Sequence, residues 1–413
     1  MDTLVRNGRI VRCDGDPALS ARERLRILDR GAVGIDNGSI VWVGTDDEAK
    51  GLSATTTLDA EGGAVLPGLV DPHTHLVFGG SRAGEFARRM GGEDYRTIAA
   101  EGGGITSTVR ATREASDDTL RDGAERRALA MRELGVTSIE IKSGYGLSLE
   151  DELRCLRIGR HLGKDGPVRT SMTFLGAHTV PPEMRNQRGE YLDLVVEQML
   201  PRVVDEGLAD ACDVYLDEGA FTRAEAHRVL RAAKAAGLQI RAHIGQFKDL
   251  GGASLLAELG ALSADHVEQI SEEGARALAS AGVVVVLLPG AWRTLRQTPP
   301  DVAMLRRAGV SFAVGTDCNP GTSPCTDLSL CAALAVRDAG LTVEEAVLAV
   351  TVHAARAAGL PKAGRIAVGA FGDLAIYGHD DPCALAYAMG DLRPRHVLLR
   401  GRRVAGTERP PLW

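Results

Sequence analysis

Aromatic residues and long hydrophobic runs are both scarce in this chain of 413 residues. Only 7 Phe, 6 Tyr and 3 Trp are present, and together they make up 4% of the sequence. The longest apolar runs, at residues 283–288 and 330–336, are far shorter than the roughly 20 residues that a membrane-spanning helix needs. Residues 1–12 contain no apolar core of the kind found in signal peptides. The short apolar runs and the lack of a signal-peptide core predict a protein that has no membrane partner.

The sequence also lacks an excess of positive charge and any paired cysteine motif. The formal net charge is −7, which does not favour binding to nucleic acid. The 7 cysteines are odd in number and include no C-x-x-C motif, so we expect neither a disulfide framework nor a structural zinc ribbon. Motifs of the nucleophile-elbow, phosphate-loop and dinucleotide-binding kinds are also absent. We therefore predict a cytoplasmic protein without a nucleic-acid partner.

Glycine, by contrast, is abundant. Its 49 residues are spread along the chain, and the glycine share of the sequence exceeds the roughly 7% that is usual. Such a distribution is typical of the many turns of a compact α/β protein. At both ends of the chain, short β-type segments flank turn residues such as Asn7-Gly8 and Asp36-Asn37-Gly38. The sequence therefore predicts one small β-sandwich domain that is built from both termini, residues 1–64 and 363–413.

Between these ends, residues 65–362 alternate between apolar β-type segments and helical patterns such as 118–134 and 224–236. The β-type segments are 65–70, 138–141, 170–175, 212–216, 240–243, 264–267, 283–288 and 312–314. Eight strands that alternate with helices predict an α/β fold of the (β/α)8 TIM-barrel type. Strands that are apolar along their whole length fit a parallel sheet covered on both faces.

The longest predicted loop, residues 79–116, follows the first strand and contains Gly102-Gly103-Gly104. Long loops that follow barrel strands lie at the catalytic face, so this loop is a candidate lid over the site. The alternative is an ordinary glycine-rich surface loop.

Polar side chains follow several of these strands, at the end where a barrel gathers its chemistry. His73 and His75 come after the first strand, and a spacing of two places both rings on one face of an extended chain. His243 ends the fifth strand, His266 lies on the sixth, and Asp317 follows the eighth. Imidazole nitrogens and a carboxylate oxygen suit zinc or ferrous iron, and a metal there would lower the pKa of a coordinated water. The sequence therefore predicts a site for a single metal ion.

Two further residues at the strand ends leave alternatives open. Lys142 follows the second strand, where a buried lysine can carry a carbamate that bridges two metals, form a Schiff base, or pair with Glu140. Cys318 is conceivable as a nucleophile or ligand, but alternation points it away from the face that Asp317 uses. Five other histidines are expected to be structural or solvent-facing: His161, His227, His353, His379 and His396.

Longer motifs surround these residues. They are P-G-L-V-D-P-H-T-H at 67–75, E-I-K-S-G-Y-G-L at 140–147, T-F-L-G-A-H-T-V-P-P-E at 173–183, A-L-S-A-D-H-V-E at 261–268 and T-D-C-N-P-G-T-S-P at 316–324. With G-G-G-I at 102–105, they resemble the amidohydrolase superfamily and, within it, the imidazolonepropionase family. The resemblance extends over essentially the whole chain, and several of the motifs are specific to the narrower family.

The resemblance implies hydrolytic ring opening of 4-imidazolone-5-propanoate to N-formimidoyl-L-glutamate, a step in histidine degradation. It implies a cytoplasmic homodimer with one Zn²⁺ or Fe ion per subunit. The implied metal ligands are His73, His75, His243 and Asp317. The implied substrate-binding residues are Arg82, Tyr145, His178, Gln246, Asn319, Gly321 and Thr322. His266 is the implied catalytic residue, and the chemistry of proton transfer adds Asp317.

These residue types suit the reaction that the resemblance implies. Arg82 suits the propanoate, because a guanidinium binds a carboxylate through two parallel hydrogen bonds. Tyr145 and His178 can donate hydrogen bonds to the same end of the substrate or to its ring. Asp317 can accept a proton from water, and His266 can stabilise a developing oxyanion or assist proton transfer. The sequence leaves open which of these two delivers a proton to the leaving nitrogen.

Gln246 separates the implied reaction from the nearest alternative. Pyrimidine deaminases of the superfamily use a glutamate there to shuttle protons, which a carboxamide does not do near neutral pH. The chain also departs from the usual family pattern, H-A-D followed by Q or E, because it has His243-Ile244-Gly245-Gln246. Thr322 stands where serine also occurs in the family, so the hydroxyl is kept. Two alternatives remain, another amidohydrolase that acts on a cyclic amide or aminated heterocycle, and a catalytically silent scaffold.

Overall fold

The computed structural model describes residues 1–93, 97, 101–164, 166–390 and 392–409, and its strands form two separate sheets. The terminal sheet contains β1 Thr3–Val11, β2 Ile27–Asp36, β3 Ser39–Thr45, β4 Thr56–Asp59, β5 Ala64–Pro67, β14 Leu374–Ile376, β15 His396–Leu399 and β16 Arg402–Ala405. The central sheet contains β6 Leu69–Asp71, β7 Val136–Lys142, β8 Arg169–Ala177, β9 Ala211–Leu216, β10 Gln239–Ile244, β11 Ser263–His266, β12 Val284–Leu287 and β13 Ser311–Val314.

The central sheet is a parallel barrel whose strands follow one another in chain order from β6 to β13. An isolated parallel bridge between Thr74 and Cys318 joins the segments that follow β6 and β13, so the first and last strands meet. Each of the eight predicted β-type segments overlaps a barrel strand. The TIM-barrel prediction is therefore confirmed.

One predicted strand, at residues 65–70, is divided between the two sheets. β5 pairs with β1 and β14 in the terminal sheet, whereas β6 pairs with β7 in the barrel. The division falls at Gly68, where a Cβ atom would overlap the side chain of Thr137. An apolar run predicts a strand but does not show which neighbours will pair with it, so the division was not predicted.

Helices cover the outside of the barrel and begin where the sequence supplies caps. Helix Arg223–Ala235 follows Thr222, whose side chain accepts the backbone N–H of Glu225 while Glu225 bonds back to Thr222. In the described part of the chain, the other helices of six or more residues are Ala83–Met90, Ile105–Glu114, Asp117–Glu133, Leu149–Lys164, Arg188–Leu194, Leu200–Asp205, Gly252–Leu259, Glu272–Ser280, Pro289–Leu295, Val302–Arg307, Leu328–Ala339, Val343–Ala349 and Val352–Ala357. Within the described ranges, no helix combines the length and the apolarity needed to cross a membrane.

The barrel strands are buried on both faces, as their uniformly apolar sequences predict. In β12, Val284 and Val286 pack against the alanine-rich helix Val352–Ala357, whereas Val285 and Leu287 belong to the main core on the other face. All four side chains are at most 1% exposed. Burial on both faces is the arrangement expected of a parallel sheet in an α/β barrel.

The terminal sheet is a separate β unit that draws on both ends of the chain. β1 pairs with β2 along one edge, and with β4 and then β5 along the other. The β2–β3 turn at Asn37 and Gly38 has φ values of 48° and 73°, as an Asn-Gly hairpin turn requires. The exact bounds of this unit, 1–64 with 363–413, stay a prediction, and residues 391 and 410–413 lie outside the described part of the chain.

The predicted loop 79–116 contains the helices Ala83–Met90 and Ile105–Glu114. Residues 94–96 and 98–100 of this segment lie outside the described residues. Its function as a lid therefore stays a prediction.

His353, one of the histidines expected to be structural, is buried between two parts of the fold. Its Nδ1 donates to the carbonyl oxygen of Phe312 at 2.7 Å, and its Nε2 lies 2.6 Å from Nη2 of Arg24. Burial lowers the pKa of His353 to about 3. The imidazole is therefore neutral in the folded protein throughout the physiological pH range.

This neutrality predicts a measurable pH dependence of stability. Below the ordinary pKa of 6.5 the unfolded chain binds a proton at His353 that the folded chain does not, so stability falls as the pH falls from 6.5 towards 3. His353→Gln should reduce the slope of unfolding free energy against pH by up to about 1.4 kcal/mol per pH unit in that range. Urea unfolding of both proteins at several pH values measures the slope. Equal slopes would contradict a neutral buried ring.

Candidate metal centre and active site

The four predicted metal ligands meet at the C-terminal end of the barrel. Nε2 of His73 and Nε2 of His75 lie 3.5 and 3.7 Å from Oδ1 of Asp317. Nε2 of His75 lies 3.4 Å from Nε2 of His243. All four side chains are buried. The donor atoms surround one small space, into which three separate strand ends project.

Two buried carboxylates fix the ring orientation of His73 and His243, and so determine which nitrogen faces this space. Nδ1 of His73 lies 2.6 Å from Oδ2 of Asp265, and Nδ1 of His243 lies 2.9 Å from Oδ1 of Asp213. Because each carboxylate accepts a hydrogen bond from Nδ1–H, the Nε2 atom of each of these two rings presents its lone pair to the centre. The buried Nε2 of His73 has no hydrogen-bond partner among the described residues. This donor set fits a single Zn²⁺ or Fe ion.

Lys142 holds these carboxylates in place. Its Nζ lies 2.8 Å from Asp213, 3.1 Å from Glu140 and 3.4 Å from Asp265, and all four side chains are fully buried. Burial alone would lower the pKa of Lys142, but the three negative charges outweigh it and raise the pKa above its ordinary value. A charged ammonium held by three carboxylates is not a nucleophile. The structure therefore supports the ion-pair alternative for Lys142 over the carbamate and the Schiff base.

Asp317 is fixed by the loop that follows it. Its φ is 52°, a left-handed conformation that is strained for a residue other than glycine and concentrates at functional sites. The Thr322 hydroxyl lies 3.3 Å from Oδ2, which leaves Oδ1 facing the histidines. The neighbouring Cys318 is buried, and burial raises the pKa of its thiol. The structural interpretation of this cysteine is therefore supported.

Both ends of the Asn319 carboxamide form hydrogen bonds within this loop. Its Oδ1 accepts the backbone N–H groups of Gly321 and Thr322, both at 2.8 Å. Its Nδ2 donates to the carbonyl oxygen of Asp317 at 2.7 Å and to the Thr322 hydroxyl at 2.9 Å. These contacts give Asn319 a positioning role, and its predicted contact with substrate stays a prediction.

His178 and Tyr145 line the site next to the metal ligands. The His178 ring stacks on His75 with ring centroids 5.1 Å apart, and the Tyr145 ring lies 5.4 Å from His178. Nδ1 of His178 donates to the carbonyl oxygen of Gly144 at 2.9 Å, and burial lowers the pKa of His178 to about 3. The ring is neutral, so its free Nε2 is an acceptor and not the donor predicted from the sequence.

The loop that carries Tyr145 is organised by the buried carboxylate of Glu152. Glu152 accepts the backbone N–H groups of Gly144, Gly146 and Leu147 at 3.1, 2.8 and 2.8 Å. Gly144 has a φ of 106°, which favours glycine at this position. One carboxylate thus fixes the backbone on both sides of Tyr145.

Arg82 lies against the loop that follows β13. Its Nε donates to Glu85 at 2.9 Å, and Glu85 also accepts from Ser107 at 2.8 Å, so the guanidinium is oriented by two helices. A Cβ atom on Gly321 would overlap Nη1 of Arg82, so a larger residue there would displace the guanidinium. These two residues help to line a cavity of about 330 Å³ together with Phe78, Phe86 and Pro324.

Gln246 is the second residue after β10 and is held by three contacts. Its backbone N–H donates to Asp217 at 2.7 Å, its carbonyl oxygen accepts from Gln297 at 2.9 Å, and its Oε1 accepts from the Tyr215 hydroxyl at 2.8 Å. The preceding Gly245 has a φ of 60°, a conformation that favours glycine over the acidic residue usual in the family pattern.

His266, the predicted catalytic residue, is brought to the same site. Its ring lies 5.4 Å from that of His243 and 5.9 Å from that of His73. Its Nδ1 lies 3.7 Å from Glu268, and its backbone has a φ of 78°. All of the predicted site residues are therefore gathered at one end of the barrel.

Several residues that support the site were missed from the sequence, among them Asp213, Asp265, Glu152 and Tyr215. Asp213 had a usable signal, because it is a carboxylate inside an otherwise apolar barrel strand and must have a buried partner. Glu152 and Tyr215 gave no such signal in the sequence, because a glutamate in a helix and a tyrosine in a strand are both common.

Comparison with known proteins identifies the family. The amidohydrolase family profile matches residues 64–404. The chain is 50% identical to the imidazolonepropionase of Acidiphilium cryptum over 92% of this chain and 93% of that protein. It is 47% identical to the imidazolonepropionase of Methylobacterium nodulans over 93% of this chain and 96% of that protein.

Solved structures of the same fold are more distant in sequence. An adenosine deaminase from Xanthomonas campestris with bound zinc has a TM-score of 0.72 at 20% identity, covering 98% of this chain and 93% of that one. A 5-methylcytosine deaminase from Klebsiella pneumoniae has a TM-score of 0.74 at 16% identity, covering 99% of each chain. These likenesses support the fold alone. From its family profile and its close relatives, the chain belongs to the imidazolonepropionase family of metal-dependent amidohydrolases.

Proposed function

We propose that this chain hydrolyses 4-imidazolone-5-propanoate to N-formimidoyl-L-glutamate in histidine degradation. The observation that carries the proposal is the convergence of His73, His75, His243 and Asp317 on one buried space in a chain that is 50% identical to an imidazolonepropionase. The reaction is a hydrolysis of a cyclic amide C–N bond.

We assign the metal site to these four residues and to one Zn²⁺ or Fe ion per subunit. A metal bound there would supply Lewis acidity and lower the pKa of water. Asp317 has its Oδ1 among the imidazoles and is placed to accept a proton from the attacking water. His266 has its Nδ1 towards Glu268, so its other nitrogen is available to stabilise the oxyanion that forms at the ring carbonyl.

The remaining residues bind the substrate in this proposal. The Nη groups of Arg82 pair with the propanoate, because only Nε is engaged by Glu85. The neutral His178 accepts an N–H group of the ring through Nε2, and Tyr145 beside it donates its hydroxyl hydrogen. The predicted substrate set is completed near the ends of β10 and β13 by Gln246, Asn319, Gly321 and Thr322.

The direct test is turnover of enzymatically generated 4-imidazolone-5-propanoate, followed by the loss of its ultraviolet absorbance, with metal quantified in the same sample. We expect turnover that depends on one metal ion per subunit and is lost when a chelator removes the metal. Release of ammonia from aminated heterocycles, with only background ring opening, would support the deaminase-like alternative. A protein that binds no metal and gains no activity when metal is added would support the scaffold.

Arg82→Ala tests the propanoate anchor. The KM for the substrate should rise about 10- to 100-fold, because one charge-assisted contact contributes roughly 1.5–3 kcal/mol. Metal content should stay the same, since Arg82 has no contact with the ligands. Steady-state kinetics and metal analysis measure both quantities. Arg276→Ala, which removes an exposed arginine paired with Glu272, is the matched control and should change neither. Loss of metal from the Arg82 variant would contradict the assigned role.

The homodimer and the cytoplasmic location rest on the family resemblance and are part of the same proposal. Light scattering of the purified holoenzyme gives the mass in solution, and a monomer mass at micromolar concentration would contradict the dimer.

A further inference from the structure

Tyr215 occupies a position between the metal ligands and Gln246. It lies near the C-terminal end of β9, and its ring centroid is 5.6 Å from that of His243 and 6.1 Å from that of His178. Its hydroxyl donates to Oε1 of Gln246 at 2.8 Å. A side chain on a different strand therefore contacts the side-chain amide of Gln246.

The backbone of Gln246 is fixed by hydrogen bonds, so only its side-chain carboxamide is free to turn. Asp217 accepts its N–H at 2.7 Å and Gln297 donates to its carbonyl oxygen at 2.9 Å, so the main chain is fixed on both sides. The two ends of a carboxamide have nearly the same shape but opposite hydrogen-bonding character. With Oε1 bound to Tyr215, Nε2 is the end left for a ligand, since none of the described residues accepts from it.

We propose that Tyr215 is a positioning residue that holds the Gln246 carboxamide with its N–H groups towards the bound ring and so favours substrate over product. This inference rests on the proposed ring opening. The intact ring carries one unprotonated nitrogen, which is a hydrogen-bond acceptor. After hydrolysis both nitrogens belong to a formimidoyl group, which is an amidinium near neutral pH and carries only N–H donors. A fixed N–H donor therefore binds the substrate well and the product poorly.

Tyr215→Phe tests this directly, because it keeps the ring and removes the hydroxyl that fixes the amide. With the amide free to turn, the KM for 4-imidazolone-5-propanoate should rise about three- to tenfold. The inhibition constant of N-formimidoyl-L-glutamate should fall by a similar factor, because Oε1 can then accept from the amidinium. Metal content should not change. The opposite signs are the essential result, since general damage to the site weakens substrate and product together.

Tyr191→Phe is the matched control. It removes a buried tyrosine hydroxyl that donates to the carbonyl oxygen of Gly176 at 2.7 Å, and neither constant should change. The inference would be overturned, with the proposed function intact, if Tyr215→Phe left the KM and the inhibition constant unchanged. An increase in both constants would overturn it equally. Failure of the wild-type protein to open the ring would overturn the proposed function. Calorimetric binding of N-formimidoyl-L-glutamate then still decides the inference, because equal or weaker affinity in the variant contradicts it.

Discussion

Replacing His73 with alanine should give a folded protein that retains no stoichiometric metal and whose kcat/KM is reduced at least about a thousandfold, since a catalytic metal supplies several kcal/mol. His73 belongs to both groups of potential ligands, one with His243 and His266 and one with His75 and Asp317. Its loss therefore leaves neither group complete. Metal analysis after gel filtration, with turnover in the same fractions, measures the result.

His161→Ala is the control for this variant. His161 is an exposed histidine on helix Leu149–Lys164, and its removal should leave metal content and turnover unchanged. The circular dichroism of the His73 variant shows whether the fold is kept. A folded His73→Ala protein with one metal per subunit and near-normal turnover would exclude His73 as a ligand.

Lys142→Met should lower the unfolding free energy by about 3–5 kcal/mol, the cost of breaking a buried ion pair by removing one partner. Asp213, Glu140 and Asp265 would keep their burial and lose the ammonium that all three contact. Methionine has a similar length and no charge, so the loss is mainly electrostatic. Metal affinity should also fall, because Asp213 and Asp265 hold His243 and His73. Denaturant unfolding of the metal-free protein and metal titration measure the two effects.

The matched control is Lys248→Met. Lys248 pairs with Glu218 at 3.2 Å, but its side chain is 58% exposed and that of Glu218 is 68% exposed. An exposed ion pair contributes about 0–1 kcal/mol, so this variant should be nearly as stable as the wild type. If Lys142→Met cost no more than Lys248→Met, the buried network would not stabilise the site as its geometry indicates.

The barrel was predictable because its signals are local. Each apolar β-type segment marks a strand, and the polar residue at its end marks the catalytic face. Those two signals are enough to bring His73, His243 and Asp317 to one end of the barrel. The division of residues 65–70 between two sheets was not predictable, since it depends on contacts with Thr137 and on strands at both ends of the chain.

The supporting residues of the site were harder to predict for the same reason. Asp213 acquires its role only because β9 lies beside β10, where it meets the Nδ1 of His243. The acceptor character of His178 follows from a contact with the carbonyl oxygen of Gly144, which no motif encodes. Motifs identify which residues face a site, whereas protonation and orientation follow from neighbours that are distant in sequence.

The pairing of β5 with β14 has a consequence for how the chain is made. Leu66 finds its partner Ala375 only after the whole barrel has left the ribosome. At typical rates of about 5–20 residues per second, the edge of β5 stays open for roughly 15–60 s during synthesis. Val65 and Leu66 are apolar, and an open apolar edge strand recruits other chains. We therefore expect that protection of the nascent N-terminal strands, by a chaperone or by early folding of β1 to β3, increases the yield of this enzyme.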